Sequence, residues 1–137
     1  MLFKSKVVIK TLIFLVLSGF IASQLQAGEV TIKRVVFEKH ASGWTVDTTL
    51  QHQDTGWQHY ADAWRVVDGK GNILGTRTLF HPHVDEQPFT RSLSNIKIPA
   101  ALDIVYVEAH DKKHGWSADK VKVQLSKKEG DRFKVRK

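Results

Sequence analysis

Seven histidines, at positions 40, 52, 59, 81, 83, 110 and 114, hold most of the chemistry this chain can offer. Imidazole ligates transition metals and exchanges a proton near neutral pH. His81-Pro82-His83 is the sharpest arrangement. Residues two apart project to the same side of an extended chain, and Pro82 fixes the backbone between them, so two rings are placed to share one ion. Glu86 or Asp85 would add an oxygen, and His59 and His110 would arrive from neighbouring strands. The candidate metal set is therefore His81, His83, His59, Glu86 and His110. Imidazole with carboxylate suits Cu(II) or Zn(II), and also nickel or iron(II). The single methionine, Met1, goes with the leader, so a thioether copper(I) site is excluded. The same His-Pro-His loop equally fits a turn limited by proline, with both rings hydrogen-bonded to backbone or open to water.

Tryptophan divides into two kinds. Trp44 and Trp64 alternate with other apolar residues and belong to the core. Trp57 and Trp116 stand beside Gly56 and Gly115 in loops, where an exposed ring suits a ligand or partner, with Asp85 and His114 near them. Asp62 alternates with Tyr60, Trp64 and Val66. On a core face its carboxylate needs Arg77, Arg91 or a backbone N–H, which makes it a structural anchor before a catalytic group. Enzyme signatures are lacking: there is no Gly-x-Ser-x-Gly, no cysteine and no His-Glu-x-x-His, so only an open metal site would support catalysis.

These residues need a scaffold, and the pattern is one of strands. Short β-branched and aromatic stretches recur between Gly, Asp, Asn and Pro, predicting strands at Val30–Glu38, Gly43–Gln51, His59–Val67, Ile73–Phe80, Phe89–Ile98, Asp103–His110 and Ala118–Leu125. Val121, Val123 and Leu125 alternate with Lys120, Lys122 and Gln124, so one face is buried and one wet. Asp68-Gly69-Lys70-Gly71-Asn72 reads as a hairpin; the glycine spacing and helix of a phosphate loop are missing. Seven antiparallel strands alternate their loops between two ends. Residues 52–58, 81–88 and 111–117 share one end, which collects His52, His59, His81, His83, His110 and His114 with Asp54, Asp85, Glu86 and Asp111. His40 is at the other.

The expected fold is all-β, a seven-stranded antiparallel sandwich. From Ile96 onward, Ile98-Pro99, the alternating Val105, Val107 and Ala109, then Gly115, Ser117, Val121 and Val123 resemble a fibronectin type III domain, while Trp64 on the third strand is more immunoglobulin-like. The likeness implies a fold class only. The run from His59-Tyr60-Ala61-Asp62-Ala63-Trp64 through Leu79-Phe80-His81-Pro82-His83 to Glu86-Gln87-Pro88-Phe89-Thr90-Arg91-Ser92-Leu93 resembles the core of small uncharacterised exported bacterial proteins. That likeness implies export and no particular activity.

Export is also written at the N-terminus. Lys4, Lys6 and Lys10 precede an apolar run, Thr11 to Ala22, closed by Ser23 and Gln24, and Ala27 is a small residue at the cleavage position. The run is short of the roughly 20 residues a membrane span needs, although a retained anchor is the alternative. The organisation is then a signal peptide over 1–27, a β-sandwich domain over 28–126 and a basic C-terminal tail over 127–137. Loss of the leader takes the formal charge from +7 to +4. The body is neutral, with twelve basic and twelve acidic residues, and the tail carries six basic against two acidic. It reads as a frayed terminus, or as a weak attachment to anionic lipid or wall polymer. A neutral body argues against nucleic acid. Absence of cysteine excludes disulfides, thiolate sites and a lipid-modified cysteine. The first functional expectation is a periplasmic binding module for a divalent metal. The second is an accessory domain docking an envelope protein or glycan through the same loops.

Overall fold

The structure is a computed structural model that describes residues 28–137; the expected signal peptide, 1–27, lies outside the described residues. Nine strands and no helix occur among them: β1 (Thr31–His40), β2 (Gly43–Gln51), β3 (Ala61–Asp68), β4 (Ile73–Thr78), β5 (Phe89–Ile96), β6 (Ile104–Asp111), β7 (Gly115–Gln124), β8 (Glu129–Gly130) and β9 (Phe133–Arg136). They form two sheets, ordered β5-β2-β1-β9-β8 and β4-β3-β6-β7. The seven expected strands are all present.

Period-two alternation builds the core between the sheets. Trp44, Val46, Thr48 and Leu50 of β2 and Phe37 of β1 are buried, facing Trp64 and Val66 of β3, Val105, Val107 and Ala109 of β6, and Val121 and Val123 of β7. Irregular registers adjust the alternation where it would fail. A shift between Ile32 and Arg34 leaves Lys33 and Arg34 both outside while Ile32 and Val35 stay buried. A second shift, between Ala61 and Ala63, turns Asp62 off the core face. Asp62 is therefore only partly buried, and its partner is His110, not Arg77, Arg91 or a backbone N–H.

The tail corrects one expectation. It is not a frayed end: β9 pairs parallel with β1, Val35 to Phe133 through Glu38 to Arg136, and Phe133 and Val135 are buried. Consequently β1 is an inner strand, between β2 and β9. Arg132 locks the junction. Its Nη1 donates to Ile32 O at 2.7 Å and to Asp119 Oδ2 at 2.9 Å, and its Nη2 donates to Lys120 O at 3.1 Å. Two apolar residues and one bifurcated guanidinium suffice to seat a segment whose composition alone reads as solvated.

Candidate metal centre

The core alternation runs past the strand ends and carries polar residues inward. Continuing β2 from Thr48 and Leu50, the next two inward positions are His52 and Asp54. Continuing β6 from Val107 and Ala109, the next is Asp111. All three are buried, with His52, Asp54 and Asp111 side chains wholly inaccessible. Buried polar groups have to find partners, and these find one another.

Asp54 is the hub. Its Oδ1 lies 2.5 Å from His52 Nδ1 and accepts Ala61 N–H at 3.0 Å; its Oδ2 accepts His83 N–H at 2.7 Å. One carboxylate thus ties the β2–β3 loop to the β4–β5 loop. The other ring nitrogen of His52, Nε2, lies 2.7 Å from the Gly28 carbonyl, which only accepts, so Nε2–H donates there. Asp111 closes the β6–β7 turn, accepting Lys113 N–H at 2.9 Å and His114 N–H at 2.7 Å through Oδ1. Burial pushes its carboxyl up, but those two N–H groups and the His114 and His52 rings outweigh it and hold the group below the usual carboxylate range.

His59 completes the arrangement. Its Nε2 stands 3.2 Å from Asp111 Oδ1, and its ring packs against His52 at 4.8 Å and His114 at 5.0 Å between centroids. Donor atoms of His52, His59 and Asp111 all lie within 4.8 Å of one another. Two of the polar atoms there, His59 Nε2 and Asp111 Oδ2, are buried with no hydrogen-bond partner. Two imidazoles and a carboxylate, with open valences at His59 Nε2 and Asp111 Oδ2, form a donor set that fits zinc or copper(II).

Of the residues the sequence pointed to as metal ligands, only His59 is in this group. His81 and His83 do come together, with ring centroids 4.6 Å apart, but His81 Nδ1 faces Pro82 O at 3.1 Å and lies at the surface. His83 is buried, stacked on Phe89 at 3.9 Å, and its Nε2 accepts Arg91 Nη2 at 2.8 Å. Desolvation first, then the Arg91 and His81 charges, lower its affinity for a proton. Its one outward lone pair is thereby occupied by a guanidinium. Glu86 is exposed and contacts the same Arg91 at 3.4 Å. His110 is directed to the outer face of the four-stranded sheet, its Nδ1 2.5 Å from Asp62 Oδ1.

The residues assigned to partner binding also separate. Trp57 is 63% exposed, and Phe80 and Val84 in the β4–β5 loop are exposed too. Asp85, in that loop, is exposed as well. Trp116 is not in a loop: it is the second residue of β7, still partly exposed, with Arg65 3.7 Å over its ring and His110 edge-on to it. Arg65 in turn pairs with Glu108, which Lys120 also holds. His114 is exposed, with its Nδ1 3.1 Å from Asp111 Oδ1 and its ring against His59, and Trp64 is a fully buried core residue.

Over 96 residues the chain is 38% identical to a protein of Halomicrobium mukohataei named "Putative lipoprotein", a stretch that takes in 69% of this chain and 46% of that one. The chain thus spans about half the length of the relative it matches. No family model matches the sequence, and no solved structure matches it.

Proposed function

We propose that this domain is an exported, envelope-associated binding module that holds a divalent transition metal, Zn(II) or Cu(II), on His52, His59 and Asp111. The observation that carries the reading is the pair of unpartnered, buried atoms, His59 Nε2 and Asp111 Oδ2, in one group with His52. A buried acceptor without a partner costs about 1–3 kcal/mol, and a cation between these atoms removes that cost. Asp54 supports it from behind, because a carboxylate on Nδ1 orients a ring to present Nε2 to an ion and raises its basicity. His52 Nε2 faces the Gly28 carbonyl at 2.7 Å, and the ion would take the place of that contact.

Export is supported by the leader-like first 27 residues and by the name of the relative. The order β5-β2-β1 facing β4-β3-β6-β7 supports a fibronectin III or immunoglobulin-like type of sandwich. A second reading, docking of an envelope protein or glycan, is favoured by the exposure of Trp57, Phe80 and Val84 at the same end.

Calorimetric titration with Zn(II) and Cu(II) separates the two. One-to-one binding at pH 7.5 that disappears in His59→Ala and persists in His81→Ala is the expected result. Binding that tracks His81, or none above that of any histidine-bearing surface, leaves the docking reading in its place.

A further inference from the structure

Gly28 reaches the histidine cluster through its carbonyl, which faces His52. The antiparallel ladder from Thr31–Gln51 onward lays the entry of β1 alongside the exit of β2, and buried Val30 fixes the chain there. Gly28 then turns with φ of +125°, its carbonyl 2.7 Å from His52 Nε2. A methyl group on its Cα would stand 2.5 Å from His114 Cε1, so a side chain at this position would have to displace that ring. Its nitrogen is one bond of about 1.5 Å from that Cα, and so lies at the edge of the same cluster.

We propose that the amino terminus made by export is itself a metal ligand, the α-amino nitrogen and carbonyl oxygen of Gly28 closing a five-membered chelate on the ion held by His52, His59 and Asp111. This rests on the metal reading above. Hydrolysis of the Ala27–Gly28 bond supplies the donor: water adds its oxygen to the Ala27 carbonyl carbon, the C–N bond breaks, and the nitrogen departs as an amine. Before cleavage that nitrogen is an amide, whose lone pair is delocalised into the carbonyl and does not bind a cation. Afterwards it is a base with an ordinary pKa of about 7.7–8.0, which a metal competes for readily near neutral pH. The site therefore lacks one ligand in the precursor and gains it on processing, so the exported form holds the ion more tightly than the precursor.

The test uses residues 28–137, which contain both sheets and the whole core, in two forms. One begins at Gly28, and the other carries a single serine before it. Cu(II) affinity is measured by competition, with the thermal midpoint of each metal-free form as the check on folding. The extended form is expected to bind roughly tenfold or more weakly, the scale of losing a group that supports a metal site, with the midpoint unchanged. Equal affinity in the two forms overturns the amino-terminal ligand and leaves the His52, His59 and Asp111 site standing. Absence of stoichiometric Cu(II) in both overturns the two readings together. Protein recovered from the exported fraction with a first residue other than Gly28 overturns the inference alone.

Discussion

Asp54 and His52 meet at 2.5 Å, Oδ1 to Nδ1, with neither side chain reaching solvent. This pair is more than a local contact, because the second oxygen of Asp54 also holds the His83 backbone. Replacing Asp54 by Asn keeps the volume but turns one acceptor into a donor that faces an N–H. The expected cost is about 3 kcal/mol, the size of breaking one side of a buried charged pair. A urea denaturation series on Asp54→Asn measures it. Native-state hydrogen exchange should show the amides of Ala61 and His83 losing protection together, and an unchanged midpoint would mean that the pair does not organise the loops.

The seated tail carries its own expectation. Phe133 lies against the core and Phe-to-Ala changes at buried sites cost about 3–5 kcal/mol, so at this near-edge position Phe133→Ala should cost about 3 kcal/mol. Arg132 stands at φ 58°, a conformation that disfavours a side chain, and its three hydrogen bonds offset that strain. Arg132→Gly should thus be milder than Arg132→Ala by about 0.5–1 kcal/mol, since glycine adopts the angle freely. Thermal unfolding of both variants decides it. A frayed tail would leave all three substitutions neutral.

His83 sets a pH dependence. Its proton affinity is lowered from the ordinary 6.5, chiefly by desolvation and then by Arg91 and His81. The unfolded chain therefore takes up a proton that the fold does not accept, and stability is complete above about 6.5 and is lost as pH falls through the lowered value. His83→Phe keeps the stacking on Phe89 and removes the titration. The expected outcome is a shallower fall in the denaturation midpoint between pH 7 and 5 for the variant than for the wild type. Parallel curves would show that His83 is not the group responsible.

How much was legible in the sequence can be traced along β2 and β6. Alternation located both strands and their core faces, and the parity of seven strands gathered the histidine-rich loops at one end. What it passed over was the continuation of that same period beyond the last apolar residue, from Leu50 to His52 and Asp54 and from Ala109 to Asp111. His-Pro-His stands out in the sequence because proline makes a local geometry visible, whereas the two buried carboxylates that assemble the site, Asp54 and Asp111, come from the β2–β3 loop and the end of β6. Asp62 was misplaced for the opposite reason: a bulge between Ala61 and Ala63 broke a period that the sequence carried through. The tail was misread because two buried residues, Phe133 and Val135, weigh little in composition but are decisive when an inner strand has an open edge to fill.

The central claim is that His59 and His52, not the His-Pro-His pair, receive the ion. Long-range proton–nitrogen correlation spectra of the histidine rings, recorded with and without one equivalent of Zn(II), address it residue by residue. The account expects the Nε2 resonances of His52 and His59 to move on metal addition while those of His81 and His40 stay in place. Movement of His81 and His83 with His59 unchanged, or no ring responding at one equivalent, would contradict it.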